Sequence, residues 1–290
     1  MPPDALQRLL DAHADQQPRI VWYSPAERIE LSGHVLSMWQ AKAAGLITAE
    51  SEPGTAVHLG CPIHWRTIAW ACGAWLAGRR AVIAGTLPGA AEPDSAGPAA
   101  GSARVAAGAD GADIPHRAGQ VPDGSQDDLP AVGLSVAFET RHLDPETEIQ
   151  VLLPVQSLAV RWPGELPPLV IDGAAELMSY ADAFTAAPTP GDAPALTLLT
   201  GSGDGRPTTL TRTDLTQIAT AAIASTAAGG EAGPSLPAPR AQLVRAADPG
   251  RALLEVLGAW SRGATAVLLA PGADDALAAA AARQEGALLP

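Results

Sequence analysis

The sequence predicts an α/β fold of layered, mostly parallel sheets flanked by helices, and three observations carry that reading. The segment from Thr55 to Ala84 runs from the apolar stretch Thr55-Ala56-Val57-His58-Leu59-Gly60, through a helical pattern from His64 to Leu76, to a second stretch, Arg80-Ala81-Val82-Ile83-Ala84. Strand, helix and strand in that order make a crossover unit, which implies parallel pairing. The second observation is internal repetition. Gly73-Ala74-Trp75-Leu76-Ala77-Gly78-Arg79-Arg80-Ala81-Val82-Ile83 aligns without a gap with Gly258-Ala259-Trp260-Ser261-Arg262-Gly263-Ala264-Thr265-Ala266-Val267-Leu268. In each copy a Trp-bearing helix ends at a glycine suited to a left-handed cap and a short strand follows, which predicts two pseudo-repeated halves. The third is the apolar run Ala195-Leu196-Thr197-Leu198-Leu199 leading into a glycine-rich loop, Thr200 to Thr209, where a nucleotide enzyme would cradle phosphate.

The remaining elements follow in order. Leu6, Leu9, Leu10 and His13 share one face of a first helix opened by Pro3-Asp4. Residues 19–23 and 28–31 read as the arms of a hairpin turning at Ser24-Pro25-Ala26. Ser32 caps a helix carrying Val35, Met38, Trp39, Ala43 and Leu46 and stopping near Pro53-Gly54. From Pro88 to Pro130 the chain is Ala, Gly, Pro, Asp and Ser with few large apolar residues, and it reads as a flexible insertion. Strand-like runs resume at 132–136, 149–153 and 169–171, and a helix is expected from Ala174 to Ala186. After the loop, Thr213-Asp214-Leu215 opens another helix, and 229–239 reads as a second flexible link. The organisation expected is a first α/β half over 1–87, an insertion over 88–130 and a second half over 131–290, together forming one domain.

Composition narrows the function classes. With 290 residues and 47% hydrophobic content the chain has enough apolar surface for a sizeable core. A net charge of −13 disfavours nucleic acid and anionic membrane surfaces as main partners. The longest apolar uncharged stretch, Thr67 to Gly78, is too short to span a bilayer, and the N-terminus carries no signal-peptide pattern, so a cytoplasmic location is expected. Cys61 and Cys72 form no Cys-x-x-Cys pair and read as buried thiols. Cys61-Pro62-Ile63-His64 offers two ligand types without a second pair, so no metal site is expected there.

The loop Thr200-Gly201-Ser202-Gly203-Asp204-Gly205-Arg206-Pro207-Thr208-Thr209 holds no lysine, and Asp204 opposes an anion. Thr200, Gly201, Ser202, Gly203, Gly205, Arg206 and Thr208 are the candidate nucleotide or phosphate contacts, with Arg206 the local cation. Pro207 near the third glycine position speaks against a dinucleotide fingerprint. No Gly-x-Ser-x-Gly elbow occurs, and Glu139, His142 and Asp144 read as a solvated turn, so no catalytic residue is assigned. Trp65, Trp70 and Trp75 are spread around their helix and are expected to pack between sheet and helices. Lys42, the chain's single lysine, sits within a predicted helix.

These residues resemble the N-terminal region of the acyl-adenylating (AMP-binding) superfamily, which includes acyl-CoA synthetases, nonribosomal peptide adenylation domains and luciferases. The loop is similar to that superfamily's Gly-rich turn closing on Gly-x-Pro-Lys-Gly, with Gly205, Arg206 and Pro207 matching and Thr208 at the lysine position. Leu253 to Leu269 resembles the helix and strand that follow. The Tyr-Gly-x-Thr-Glu and Thr-Gly-Asp segments are not found: Tyr23 and Tyr180 are not followed by Gly, and Gly191-Asp192 and Gly203-Asp204 are not preceded by Thr. The resemblance implies part of an adenylating scaffold, with ATP or AMP as the cofactor class and a nucleotide or acyl group as ligand. The departures lead to the expectation of a pseudoenzyme acting as a binding or regulatory module. Two alternatives remain open: a partial ligase completed by a partner protein, and a structural interaction protein with no ligand.

Overall fold

The computed structural model describes residues 4–11, 15–87, 130–199, 206–227 and 240–287. The expected insertion, apart from Pro130, and the second link both lie outside the described residues.

Helix α1 (Ala5–Asp11) precedes a hairpin of β1 (Pro18–Tyr23) and β2 (Arg28–Ser32). The Ser32 hydroxyl accepts from the Val35 amide at 3.3 Å, and this cap launches α2 (Gly33–Glu50). The crossover unit follows as β3 (Ala56–Gly60), α3 (Trp65–Leu76) and β4 (Ala81–Ala84). Next come β5 (Val132–Ala137), β6 (Ile149–Leu152), β7 (Val170–Asp172) and the single turn α4 (Gly173–Glu176). A second hairpin, β8 (Pro194–Leu199) and β9 (Thr208–Thr211), leads into α5 (Arg212–Ala227), then β10 (Ala241–Val244), α6 (Pro249–Ser261), β11 (Thr265–Leu269) and α7 (Asp275–Glu285).

The strands form two sheets, ordered β7-β6-β5-β3-β4-β8-β9 and β10-β11-β1-β2. Every neighbouring pair is parallel except the hairpins β1–β2 and β8–β9. Strand alternation decides what each face meets. Ile20 and Trp22 of β1 join Val57 and Leu59 of β3 in one core that also takes Leu36, Ile68, Leu215 and Leu257 from α2, α3, α5 and α6. Helices therefore fill the space between the sheets. All twelve residues of α3 are buried, Arg66 and Thr67 among them. The opposite face of the smaller sheet, with Val21, Tyr23, Val267 and Leu269, is covered by Ala278 and Ala281 of α7.

The internal repeat is present in three dimensions and extends beyond the matching sequence. Trp75 and Trp260 are 0% and 1% exposed, and Gly78 and Gly263 have φ of +68° and +70°. The Arg79 amide donates to the Ala74 carbonyl and the Ala264 amide to that of Ala259, so both helices close with the same left-handed cap. Trp75 Nε1 donates to the Ala195 carbonyl at 2.8 Å and Trp260 Nε1 to the Arg19 carbonyl at 3.1 Å. These acceptors are equivalent: Ala81 pairs with Leu196 and Ala266 with Ile20, each one residue past the acceptor. Residues 18–84 and 194–269 thus each run hairpin, helix, strand, helix, strand, with β5, β6 and β7 between them, and the hairpin of each repeat completes the sheet of the other.

One expected element is not formed. The helix anticipated from Ala174 to Ala186 is only the turn α4, followed by a 3-10 turn at Leu177–Ser179 and extended chain. Tertiary contacts override its helical composition. Lys42 Nζ donates to the Tyr180 carbonyl at 2.7 Å and pairs with Asp182 at 2.7 Å, and the Tyr180 ring fills the space left by the missing side chain of Gly45. The single lysine is therefore a buried structural cation, 7% exposed, that holds this segment open. Arg212 has a similar role at the other hairpin: it is 4% exposed, donates to the Trp75 carbonyl at 3.1 Å and pairs with Asp4, with Nη2 reaching Oδ1 at 3.2 Å.

Candidate functional site

Parallel strands of both sheets end on one side of the molecule, and side chains from those ends enclose a cavity of about 620 Å³. Trp22 comes from β1, Leu59 and Gly60 from β3, Ala84 from β4, Leu199 from β8, and Phe138 from just beyond β5. The far wall is Val155, whose segment is pinned in place by buried hydrogen bonds. Arg66 Nη2 donates to the carbonyls of Ser157 and Ala159 at 2.9 and 3.1 Å, and Trp65 Nε1 donates to Ser157 Oγ at 2.9 Å. The Ser157 hydroxyl in turn donates to Glu27 in the β1–β2 turn at 2.5 Å.

Three imidazoles reach the cavity. His64 is 2% exposed and caps α3, its Nδ1 accepting from the Arg66 amide at 3.1 Å. That places the proton of the neutral ring on Nε2, which faces the Val155 carbonyl without a well-formed hydrogen bond. Trp22 and Phe138 lie against the ring at centroid distances of 4.7 and 5.0 Å. Burial, and secondarily the Arg66 guanidinium, push the His64 pKa down to about 3. His58 Nδ1 lies 2.9 Å from Ser135 Oγ, which accepts from the Asp144 amide at 2.9 Å. Burial lowers the His58 pKa, opposed by the charge of Asp144. His142 is exposed at the mouth beside Glu139. Among the described residues no group of three or more His, Cys, Asp or Glu is placed to hold a metal ion. Cys61 lies in the wall, and burial pushes its thiol well above the ordinary range, so it is a poor nucleophile.

The buried His64 sets a sign for pH dependence. Its pKa is 6.5 when unfolded and about 3 when folded, so below about pH 6.5 the unfolded chain takes up a proton that the folded chain refuses. Its stabilising contribution is full above pH 6.5 and is lost as pH falls toward 3. Urea titrations between neutral pH and pH 4 should show that loss, and His64→Asn, which keeps a capping side chain, should flatten it. An unchanged acid slope in the variant would assign the loss to other groups.

Of the seven loop candidates, Thr200, Gly201, Ser202, Gly203 and Gly205 lie outside the described residues. Arg206 is exposed, and Thr208, at the lysine position of the resemblance, lies in β9 opposite Leu198. The next two helices begin at opposite ends of the sheet: α5 follows Thr211, which pairs with Pro194 at the start of β8, whereas α6 begins beside Gly85 on the cavity side. Asp214 accepts from the Thr211 amide and hydroxyl at 2.9 and 2.7 Å while its own amide donates back to Thr211 Oγ1 at 3.1 Å. Asp248 caps α6, accepting from the Arg251 amide and from Thr86 Oγ1, each at 2.7 Å. Beside it the backbones of Gly85 and Gly250 touch: a Cβ on Gly85 would lie 2.6 Å from Gly250 Cα. The loop was legible as a motif, whereas the cavity was not, because its walls come from residues 22 to 271.

Comparison with known proteins places this fold. The chain is similar over 99% of its length to the acyl-CoA synthetase of Brucella canis, with a TM-score of 0.65 and 15% identity, covering 47% of that chain. It is similar to the o-succinylbenzoate coenzyme A synthetase of Bacillus subtilis in complex with AMP, with a TM-score of 0.58, 12% identity, and 99% and 60% coverage of the two chains. The N-terminal subdomain of Klebsiella oxytoca NpsA, in complex with 3-hydroxyanthranilyl-AMSN, gives a TM-score of 0.54 at 12% identity, with 97% and 56% coverage. The fold is that of the N-terminal domains of adenylate-forming enzymes. In sequence, 70 residues are 40% identical to the TIGR03089 family protein of Mycobacterium tuberculosis (strain ATCC 25618 / H37Rv), covering 23% of this chain and 29% of that protein. No family model matches. The chain thus spans about half of the solved structures it resembles and under a third of the curated relative. Among the described residues no helix is long and apolar enough to cross a membrane.

Proposed function

We propose that the chain is a small-molecule-binding module on an adenylating-enzyme scaffold and does not form adenylates by itself. The observation that supports this is the chemistry around the crevice. The α6 N-terminus, which lies beside the ends of β4 and β8, is capped by Asp248, where an incoming phosphate would need free amides. Lys42, the single lysine, is engaged with Tyr180 and Asp182. Charge developing at an α-phosphate would therefore meet the Asp248 carboxylate and no lysine. Purified protein given ATP and a panel of carboxylates should exchange no pyrophosphate above a heat-killed control. Robust exchange would overturn the proposal.

A second reading has one observation in its favour: relatives of the same fold are solved with AMP or an acyl-AMP analogue. In that reading Thr200, Gly201, Ser202, Gly203, Gly205, Arg206 and Thr208 retain nucleotide binding, and a partner chain supplies the remaining catalytic groups. Exchange that appears only on adding such a partner distinguishes it.

A further inference from the structure

The cavity has a charge character opposite to that of an adenylate or carboxylate site. Its walls are Trp22, Leu59, Ile63, Phe138 and Val155, and among the described residues no Lys or Arg lines it. The charged groups that do are Glu27 and Glu139. His64 is buried and His58 half-buried, and both favour the neutral state, while the third lining imidazole, His142, is exposed at the mouth. Two guanidiniums lie behind the lining: Arg66 donates to the carbonyls of Ser157 and Ala159 and feels the charge of Glu27, and Arg141 pairs with Glu139 at 2.9 Å on the exposed rim. An anion entering this space would lose its hydration, find no Lys or Arg among the described lining residues and face two carboxylates.

We propose that this cavity binds an apolar primary amine, aryl or alkyl, with its ammonium toward Glu27 and Glu139 and its apolar body against Trp22 and Phe138. The 620 Å³ volume suits such a ligand, since pockets for small molecules run from about 300 to 1,000 Å³. Glu27 accepts from the Ser157 hydroxyl through Oε1, while Oε2 holds only a long contact of 3.3 Å to the Ser157 amide, which leaves lone pairs for an ammonium. Glu139 pairs with Arg141 at 2.9 Å, but both side chains are largely exposed and that pair competes weakly. The aromatic rings supply the apolar contact. This inference rests on the binding-module reading above and specifies its ligand.

The test uses the full chain and four probes: phenethylamine, phenethyl alcohol, hydrocinnamate and AMP, read by thermal shift and calorimetry at neutral pH. The amine should raise the melting temperature and bind about tenfold more tightly than the alcohol, as expected for one charge-assisted hydrogen bond. Glu27→Gln, which keeps an oxygen for Ser157, and Glu139→Gln, at an exposed position, should each narrow the gap between the amine and the alcohol. Equal or tighter binding of hydrocinnamate overturns the amine assignment. Binding of AMP without the amine overturns it too but leaves the binding-module reading standing. No shift with any probe overturns both.

Discussion

Trp260→Ala should destabilise the folded chain by about 3–5 kcal/mol, the cost of emptying a large aromatic site in a close-packed core. The same cost is expected of Trp75→Ala. Each indole is almost fully buried between the two sheets and each donates to a backbone carbonyl, of Arg19 or Ala195. Truncation therefore opens a cavity and removes one hydrogen bond to a strand carbonyl. The Arg19 guanidinium also lies 4.4 Å from the Trp260 ring and would lose that contact. Because single domains are stable by only about 5–15 kcal/mol, either change consumes much of the margin. Urea melts should report it, and the Phe variants should lose less because they keep most of the volume. Costs below about 1 kcal/mol would remove the two tryptophans from the load on the fold.

Arg212→Ala is the second large effect, again about 3–5 kcal/mol, for a different reason. The guanidinium satisfies both the Asp4 carboxylate and the Trp75 carbonyl at a point where α1, α3 and α5 converge. Removing it strands a carboxylate whose pKa is raised by burial but held below its ordinary value overall by Arg212 and the Gln7 amide. A double-mutant cycle with Asp4→Ala should show strong coupling, with the double variant less damaged than the sum of the two. Simple additivity would show that the pair contributes little.

Much of the architecture could be read from the residues. The βαβ unit, the Ser32 cap and the Trp-Gly repeat are local signals written in consecutive positions, and each appears where the pattern placed it. The segment after Glu176 was misread because its alanines favour helix, while the contacts that hold it extended come from Lys42, about 140 residues earlier. The cavity was hidden for a related reason. Glu139 and His142 look like a solvated turn in sequence, and only the parallel sheet brings them beside His58 and His64. Nothing local in either segment encodes that meeting.

The exchange of hairpins between the halves has a consequence for how the protein is made. While the ribosome has delivered only the first α/β unit, β1 has no parallel partner, because Ile20 pairs with Ala266. That partner emerges about 245 residues later, a delay of roughly 10–50 s at ordinary synthesis rates. The free edge of β4 waits as well, for β8. The other edge of β3 waits for β5, so neither repeat can mature as a separate foldon, and the nascent chain must keep three unsatisfied sheet edges from pairing with neighbours on the same polysome.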